Sequence, residues 1–216
     1  MSSATTRRIW YVAYASNLAS DRFRCYLGGG PVPGGHRVYP GCRSSEEPRA
    51  TARLELRGGL VFAGRSTVWG GGIAVHDPRP TGGVAGRGYL LTCDQAADVV
   101  AQETRQAPGG PWARYAEQEL AVGARSIGTS GTTLYDTLLR LGEHDGAPVF
   151  TITHRDVASL TPATPSAPYL RWVVTGLIET YGWDVDRVAQ YLADVPGVGG
   201  GWSRAAIVEL VGRSPE

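Results

Sequence analysis

Hydrophobic positions fall in short blocks along the chain, and the spacing within each block predicts its element. Residues 9–14, Ile-Trp-Tyr-Val-Ala-Tyr, form an unbroken apolar and aromatic run of the length of a buried strand. A turn at Ala15-Ser16-Asn17 follows, then a short helix over 19–27 that stops at Gly28-Gly29-Gly30-Pro31. Residues 28–53, rich in Gly, Pro and Arg, read as an ordered loop. Strands are expected near 54–63, 67–75 and 84–91, with an exposed turn at Asp77–Gly83. The clearest helix runs from about 93 to 104, because Thr92 and Gln95 stand at capping-box spacing. Beyond it the pattern predicts helices at 112–121 and 133–140 and a strand at 147–153. The last third is helical. Pro168 suits a first helical position, Asp184 caps a helix with Val185, Val188, Ala189 and Leu192 on one face, and Ser203 caps one carrying Ile207, Leu210 and Val211.

Strands interleaved with helices predict an α+β fold, a small mixed barrel or curled sheet with surrounding helices. The 216 residues suit one domain, with a core over about 9–193 and a C-terminal helical extension over 194–216. No stretch is long and apolar enough for a bilayer span, and the polar start runs straight into the first strand, so a cytoplasmic protein is expected. A formal net charge of +1 gives no reason to expect nucleic acid or an anionic membrane as partner. Cys25, Cys42 and Cys93 form no CxxC pair and read as reduced thiols. All 21 basic residues are arginine, which removes pyridoxal-phosphate, Schiff-base and Walker A chemistry, since each needs a lysine. The absence of lysine and the single asparagine, Asn17, fit a GC-rich bacterial genome.

Two places carry candidate chemistry. Tyr14-Ala15-Ser16-Asn17-Leu18 leads a buried strand into a polar turn, where backbone amides can hold a carboxylate or polarise a carbonyl. An ordinary strand–turn–helix in which Ser16 or Asn17 only caps fits the same pattern. On the 93–104 helix, Gln95, Asp98, Gln102 and Arg105 share one polar face. Ala96, Val99, Val100 and Glu103 follow the opposite, apolar one. A carboxylate there is costly unless paired, neutral or lining a pocket. It equally fits a frayed helix end that reaches water or an arginine.

Tyr14-Ala15-Ser16-Asn17-Leu18 resembles the YGSNL signature of the γ-glutamylcyclotransferases, a family that includes the butirosin-pathway deprotecting cyclotransferase and the plant avirulence-induced proteins. Gly86-Arg87-Gly88-Tyr89-Leu90-Leu91-Thr92 is similar to the family's later strand, and Asp94 to Glu103 occupies the place of the helix that ends in its catalytic glutamate. Ala167-Pro168-Tyr169-Leu170-Arg171-Trp172, with Gly176, looks like its late helix.

The resemblance implies a cofactor-free reaction on a small γ-glutamyl-type amide. Ala15–Leu18 and Tyr14 would hold the acyl group, Tyr169 would join them, and Glu103 would carry the proton. The products would be 5-oxoproline and an amine. The sequence departs from the pattern at Ala15 and Thr104, where the family has glycine, and in its longer 28–53 loop and C-terminal extension. These departures favour a biosynthetic or tailoring role, with hydrolysis or acyl transfer on the same site as alternatives. A non-catalytic binding protein with a pocket lined by Trp69-Gly70-Gly71-Gly72 and Trp112 is a further alternative. A metal hydrolase would have to draw on His76-Asp77, His144-Asp145 and His154 with Asp156, which lack metal-site spacing. A serine hydrolase would have to use Ser16 without a GxSxG elbow.

Overall fold

The computed structural model describes residues 7–129 and 133–212. Strand β1 (Arg8–Ala13) is buried from Ile9 onward, as a continuous apolar run requires. Two short strands follow, β2 (Gly30–Pro31) and β3 (Val38–Tyr39), which pair with each other within the 28–53 loop. Next come β4 (Thr51–Arg57), β5 (Gly59–Ala63), β6 (Ile73–Asp77) and β7 (Gly83–Thr92). The last strands are β8 (Ser126–Gly128), β9 (Thr137–His144) and β10 (Ala147–Thr153). The main sheet has six strands in the order β4-β7-β1-β10-β9-β8, while β5 and β6 form a separate hairpin. β1 runs antiparallel to β7 and parallel to β10, so it is flanked on both sides and the turn that follows it emerges inside the fold. The fold is α+β, and the sheet is curled and open, with β4 and β8 at its edges.

Six helices surround these sheets among the described residues: α1 (Ser20–Gly28), α2 (Cys93–Glu103), α3 (Pro111–Val122), α4 (Ala167–Tyr181), α5 (Val185–Ala193) and α6 (Arg204–Gly212). Thr92 and Gln95 form the expected capping box of α2. Asp184 caps α5 by accepting from the Arg187 amide at 2.7 Å, and Ser203 accepts from the Ala206 amide at 3.1 Å. Ile207 and Leu210 of α6 are buried, whereas Val211 faces solvent. No helix among the described residues is long and apolar enough to cross a membrane.

Three sequence expectations are corrected. The strand expected over 54–63 is two strands, broken at Gly58. Its φ of +132° suits glycine, and a Cβ there would lie 2.1 Å from the Asp77 carbonyl oxygen. The strand expected over 67–75 begins only at Ile73. Before it, Ser66 Oγ accepts from the amides of Val68 and Trp69 at 3.1 and 3.0 Å, which holds a turn. The helix expected over 133–140 is instead the approach to β9 and its first four residues, where pairing with β10 overrides leucine spacing that also suits a helix.

The polar face of α2 is also not where its pattern puts it. Gln95, Asp98 and Gln102 are as buried as the apolar residues opposite. Their partner is the 28–53 loop, which crosses the helix and satisfies them. Asp98 accepts from the Arg43 amide at 2.9 Å and the Gly109 amide at 2.7 Å, and it pairs with the Arg43 guanidinium at 3.0 Å. Gln102 Nε2 donates to the Tyr26 carbonyl at 2.9 Å and its Oε1 accepts from the Gly41 amide at 3.3 Å. Gln95 Nε2 donates to the Glu46 carbonyl at 2.9 Å. A loop fixed in this way is a wall rather than a fringe. Asp98→Ala removes the acceptor of the Arg43 and Gly109 amides and the partner of the Arg43 guanidinium, and urea denaturation should show a loss of about 3 kcal/mol.

Candidate active site

Past Ala13 the chain leaves the sheet through Tyr14, whose hydroxyl donates to the Ile152 carbonyl at 2.7 Å. Ser16–Leu18 then form a single 3₁₀ turn, buried throughout. Its internal bond runs from the Leu18 amide to the Ala15 carbonyl at 2.9 Å, which leaves the amides of Ser16 and Asn17 outside the turn's own bonding. The surrounding elements satisfy its carbonyls. Tyr89 of β7 donates to the Asn17 carbonyl at 2.8 Å, and Arg87 donates to the Leu18 carbonyl at 3.1 Å. Helix α4 closes over the top at Gly176, where a Cβ would lie 2.4 Å from the Leu18 side chain.

A cavity of about 540 Å³ opens beside this turn. Tyr14, Ala15, Ser16, Asn17, Glu103 and Tyr169 all line it. Leu18 does not; it is buried beneath Gly176 and holds the turn from behind. Glu103, the last residue of α2, is half-buried, and its Oε1 accepts from Asn17 Nδ2 at 2.7 Å. One hydrogen bond thus joins the two segments that the sequence singled out, 86 residues apart. Asn17 Oδ1, buried in the same place, has no hydrogen-bond partner among the described residues.

The floor is aromatic. Tyr135 donates to the Ala74 carbonyl at 2.8 Å, and Tyr169 accepts from the Ala74 amide at 3.1 Å. Burial pushes the phenols of Tyr11, Tyr14, Tyr135 and Tyr169 well above the ordinary tyrosine value. They are therefore neutral donors and acceptors at physiological pH, and none is a base. Among the described residues Glu103 is the one carboxylate in the lining, which also carries the guanidinium groups of Arg22, Arg37, Arg65 and Arg105. Such a cavity suits a ligand that carries negative charge.

Sequence reasoning passed over Arg22, Tyr39 and Tyr135, which also line the cavity. Arg22 had a readable signal: it stands one turn before Tyr26 on the stripe that Phe23 and Leu27 bury. An arginine on an apolar stripe poses the same question as the glutamate on α2. Trp69 lines the cavity, but Gly70, Gly71 and Gly72 are not among its lining residues. Nor is Trp112, whose indole donates to the Gly128 carbonyl at 3.0 Å. No histidine is among the lining residues, and no three His, Cys, Asp or Glu side chains converge as metal ligands among the described residues.

Two departures from the glycine pattern take a definite form. Ala15 has φ −139°, outside the left-handed region, so its methyl group adds bulk to the cavity wall without the strain that a positive φ would bring. Thr104 has φ −97°, with its hydroxyl turned back to the Val100 carbonyl at 2.9 Å; the positive φ falls on the next residue, Arg105.

No family model matches the chain. Histone deacetylase 5 of Arabidopsis thaliana is 27% identical over 187 residues, which cover 79% of this chain but 28% of that protein's length. Among solved structures, the human uncharacterized protein loc79017 is 16% identical with a TM-score of 0.49, covering 96% of this chain and 99% of that one. A structure described as γ-glutamyl cyclotransferase is 15% identical with a TM-score of 0.47, covering 96% of this chain and all of its own. Identities this low do not speak to chemistry, which has to be argued from the cavity itself.

Two measurements test the site's supports. Ala15→Gly should lower stability by about 0.5–1 kcal/mol, through the freer unfolded chain; a residue strained at positive φ would instead be stabilised. His76 lies against Tyr14, fully buried, and burial holds its pKa below the ordinary histidine value. The folded protein therefore resists a proton that the unfolded chain accepts. Stability should be complete above about pH 6.5 and fall as the pH drops below it, and His76→Gln should flatten that fall in thermal melts.

Proposed function

We propose that the chain is a cofactor-free cyclotransferase that cleaves a γ-glutamyl-type amide to 5-oxoproline and an amine. The observation that carries this reading is the 2.7 Å hydrogen bond from Asn17 Nδ2 to Glu103 Oε1, which ties the cavity's one carboxylate to the amide-bearing turn. The reaction needs a proton carrier beside an oxyanion site, and this pair supplies both within one hydrogen bond's reach. The motif resemblance over Tyr14–Leu18 supports the same assignment.

In this mechanism the acyl portion lies along Ala15–Asn17, with its γ-carbonyl oxygen turned to the amides of Ser16 and Asn17. Asn17 Oδ1 accepts from the substrate α-ammonium. Glu103 takes one proton from that group, whose free pKa is about 8. The freed amine attacks the γ-carbonyl carbon of its own molecule, forming the ring C–N bond. Charge gathers on the carbonyl oxygen against the turn. Glu103 then gives its proton to the amide nitrogen as the old C–N bond breaks. The regenerated carboxylate takes the ring nitrogen's remaining extra proton and passes it to the released amine, which leaves as an ammonium. Holding a flexible chain bent in this way supplies much of the rate, since attack within one molecule carries a large effective concentration. Tyr14, Tyr135 and Tyr169, neutral and fixed to backbone, shape the floor on which the chain bends.

The substrate is a small molecule, and a cytoplasmic, bacterial, biosynthetic setting is part of the proposal. Ala15 narrows the wall against the acyl group and favours a tailoring substrate. A hydrolase on the same cavity would deliver water to the γ-carbonyl and release glutamate instead.

The test is mass spectrometry of the protein incubated with a panel of γ-glutamyl amides. Release of 5-oxoproline is expected, and Glu103→Gln should reduce it by about a hundredfold or more while leaving substrate binding largely intact. Full turnover by Glu103→Gln would overturn the mechanism, and glutamate as product would establish the hydrolase.

A further inference from the structure

Arg22 is the most deeply buried charge of the cavity, 2% exposed on helix α1. Its Nη2 donates to the hydroxyls of Tyr26 and Tyr39 at 3.0 and 2.6 Å. The guanidinium carbon lies 4.6 Å from each of those ring centroids and 5.7 Å from that of Trp69. Nε and Nη1 are buried with no hydrogen-bond partner among the described residues. Those two nitrogens carry three of the five N–H donors of a guanidinium. Burial works against the charge, but a guanidinium is not deprotonated in a protein, so Arg22 remains a cation in the field of the Glu103 carboxylate. A buried cation with most of its donors idle is expensive, and the aromatic rings around it offset only part of the cost.

Among the described residues no carboxylate in the lining pairs with it directly. Glu103, the only carboxylate there, is hydrogen-bonded to Asn17. Arg37, Arg65 and Arg105 add further positive charge, and Arg37 is already directed to the Gln102 carbonyl at 2.9 Å. The cavity thus presents an anion at the end of α2 and, on α1, a cation with no carboxylate bonded to it. That is the charge pattern complementary to an α-amino acid head group, in which ammonium and carboxylate are one carbon apart.

We propose that Arg22 is the receptor for a carboxylate of the ligand, so that the acyl group must carry a free carboxylate beside its ammonium. The proposal rests on the cyclotransferase reading for the identity of that acyl group, not for the carboxylate itself. Arg22 positions the substrate and takes no part in proton transfer. It selects α-amino acid amides over simple amino-acyl amides of the same length. Its placement on the helix directly after the catalytic turn lets one short segment, Ala15 to Arg22, hold both ends of the head group.

The test uses the intact protein and two inert ligands, 5-oxoproline and 2-pyrrolidinone, which differ only in the carboxylate. Ligand-observed NMR titration should show 5-oxoproline bound at least tenfold more tightly, with the preference lost in Arg22→Gln and partly kept in Arg22→Lys. Equal affinities, or no binding of either, would overturn the proposal. Arg65→Gln and Arg105→Gln, on exposed residues of the same lining, should keep the preference; its loss there with retention in Arg22→Lys and Arg22→Gln would overturn the assignment to Arg22. Turnover separates the two readings. A protein that prefers 5-oxoproline but releases none from γ-glutamyl amides keeps the Arg22 receptor and loses the cyclotransferase. One that cyclises γ-glutamyl and 4-aminobutyryl amides with equal kcat/KM keeps the cyclotransferase and loses the receptor.

Discussion

A turn buried in a protein interior must find partners for its backbone groups without water, and the turn at Ser16–Leu18 sets that requirement for much of this molecule. Its carbonyls are met by Tyr89 and Arg87 of β7, which requires β7 to lie beside β1 in its observed register. Its outer side is met by α4, and the contact is close enough that only glycine fits at position 176. Its one side-chain amide is met by the end of α2. The two residues whose amides lie outside the turn's own bonding, Ser16 and Asn17, line a cavity. Sheet register, a helix contact and the chemistry of the site are therefore consequences of keeping three residues dry.

Charge is handled with the same economy. The chain relies wholly on arginine for its basic residues, and its most buried arginine donates to phenols rather than to a carboxylate. The acidic residue that is fully buried, Asp98, serves the loop wall, whereas Glu103 is left half-buried at a helix end with one modest partner. A carboxylate that shuttles protons has to remain free of a strong ion pair, because a tightly held charge would not give up or take a proton at the right moment. Arg22 and Glu103 line the same cavity without a direct ion pair, which is what the proposed mechanism requires of them.

What could be read from the sequence was local. β1 announced itself as an apolar run, the α2 cap as a spacing of three, and Asn17 and Glu103 as polar residues where apolar ones were expected. What was hidden depended on distant partners. Gln95, Asp98 and Gln102 look like a solvated face until the 28–53 loop is placed across them, and no periodicity within α2 signals a loop some 50 residues away. The leucines of β9 suit a helix in isolation and become a strand because β10 lies alongside. Arg22 was legible by the same rule that exposed Glu103, but it lies on a short helix whose pattern looked complete without it.

Asn17 is the only asparagine in the chain. Spontaneous deamidation, the slow ageing reaction of this residue, therefore has a single place to act, and that place touches Glu103. Conversion of this amide to an acid would set two carboxyl groups where a 2.7 Å hydrogen bond now stands. Two carboxylates so close repel each other, which would break the link that the amide now makes. On the proposed mechanism the working life of the site would then hang on one amide, held in a turn that is buried throughout.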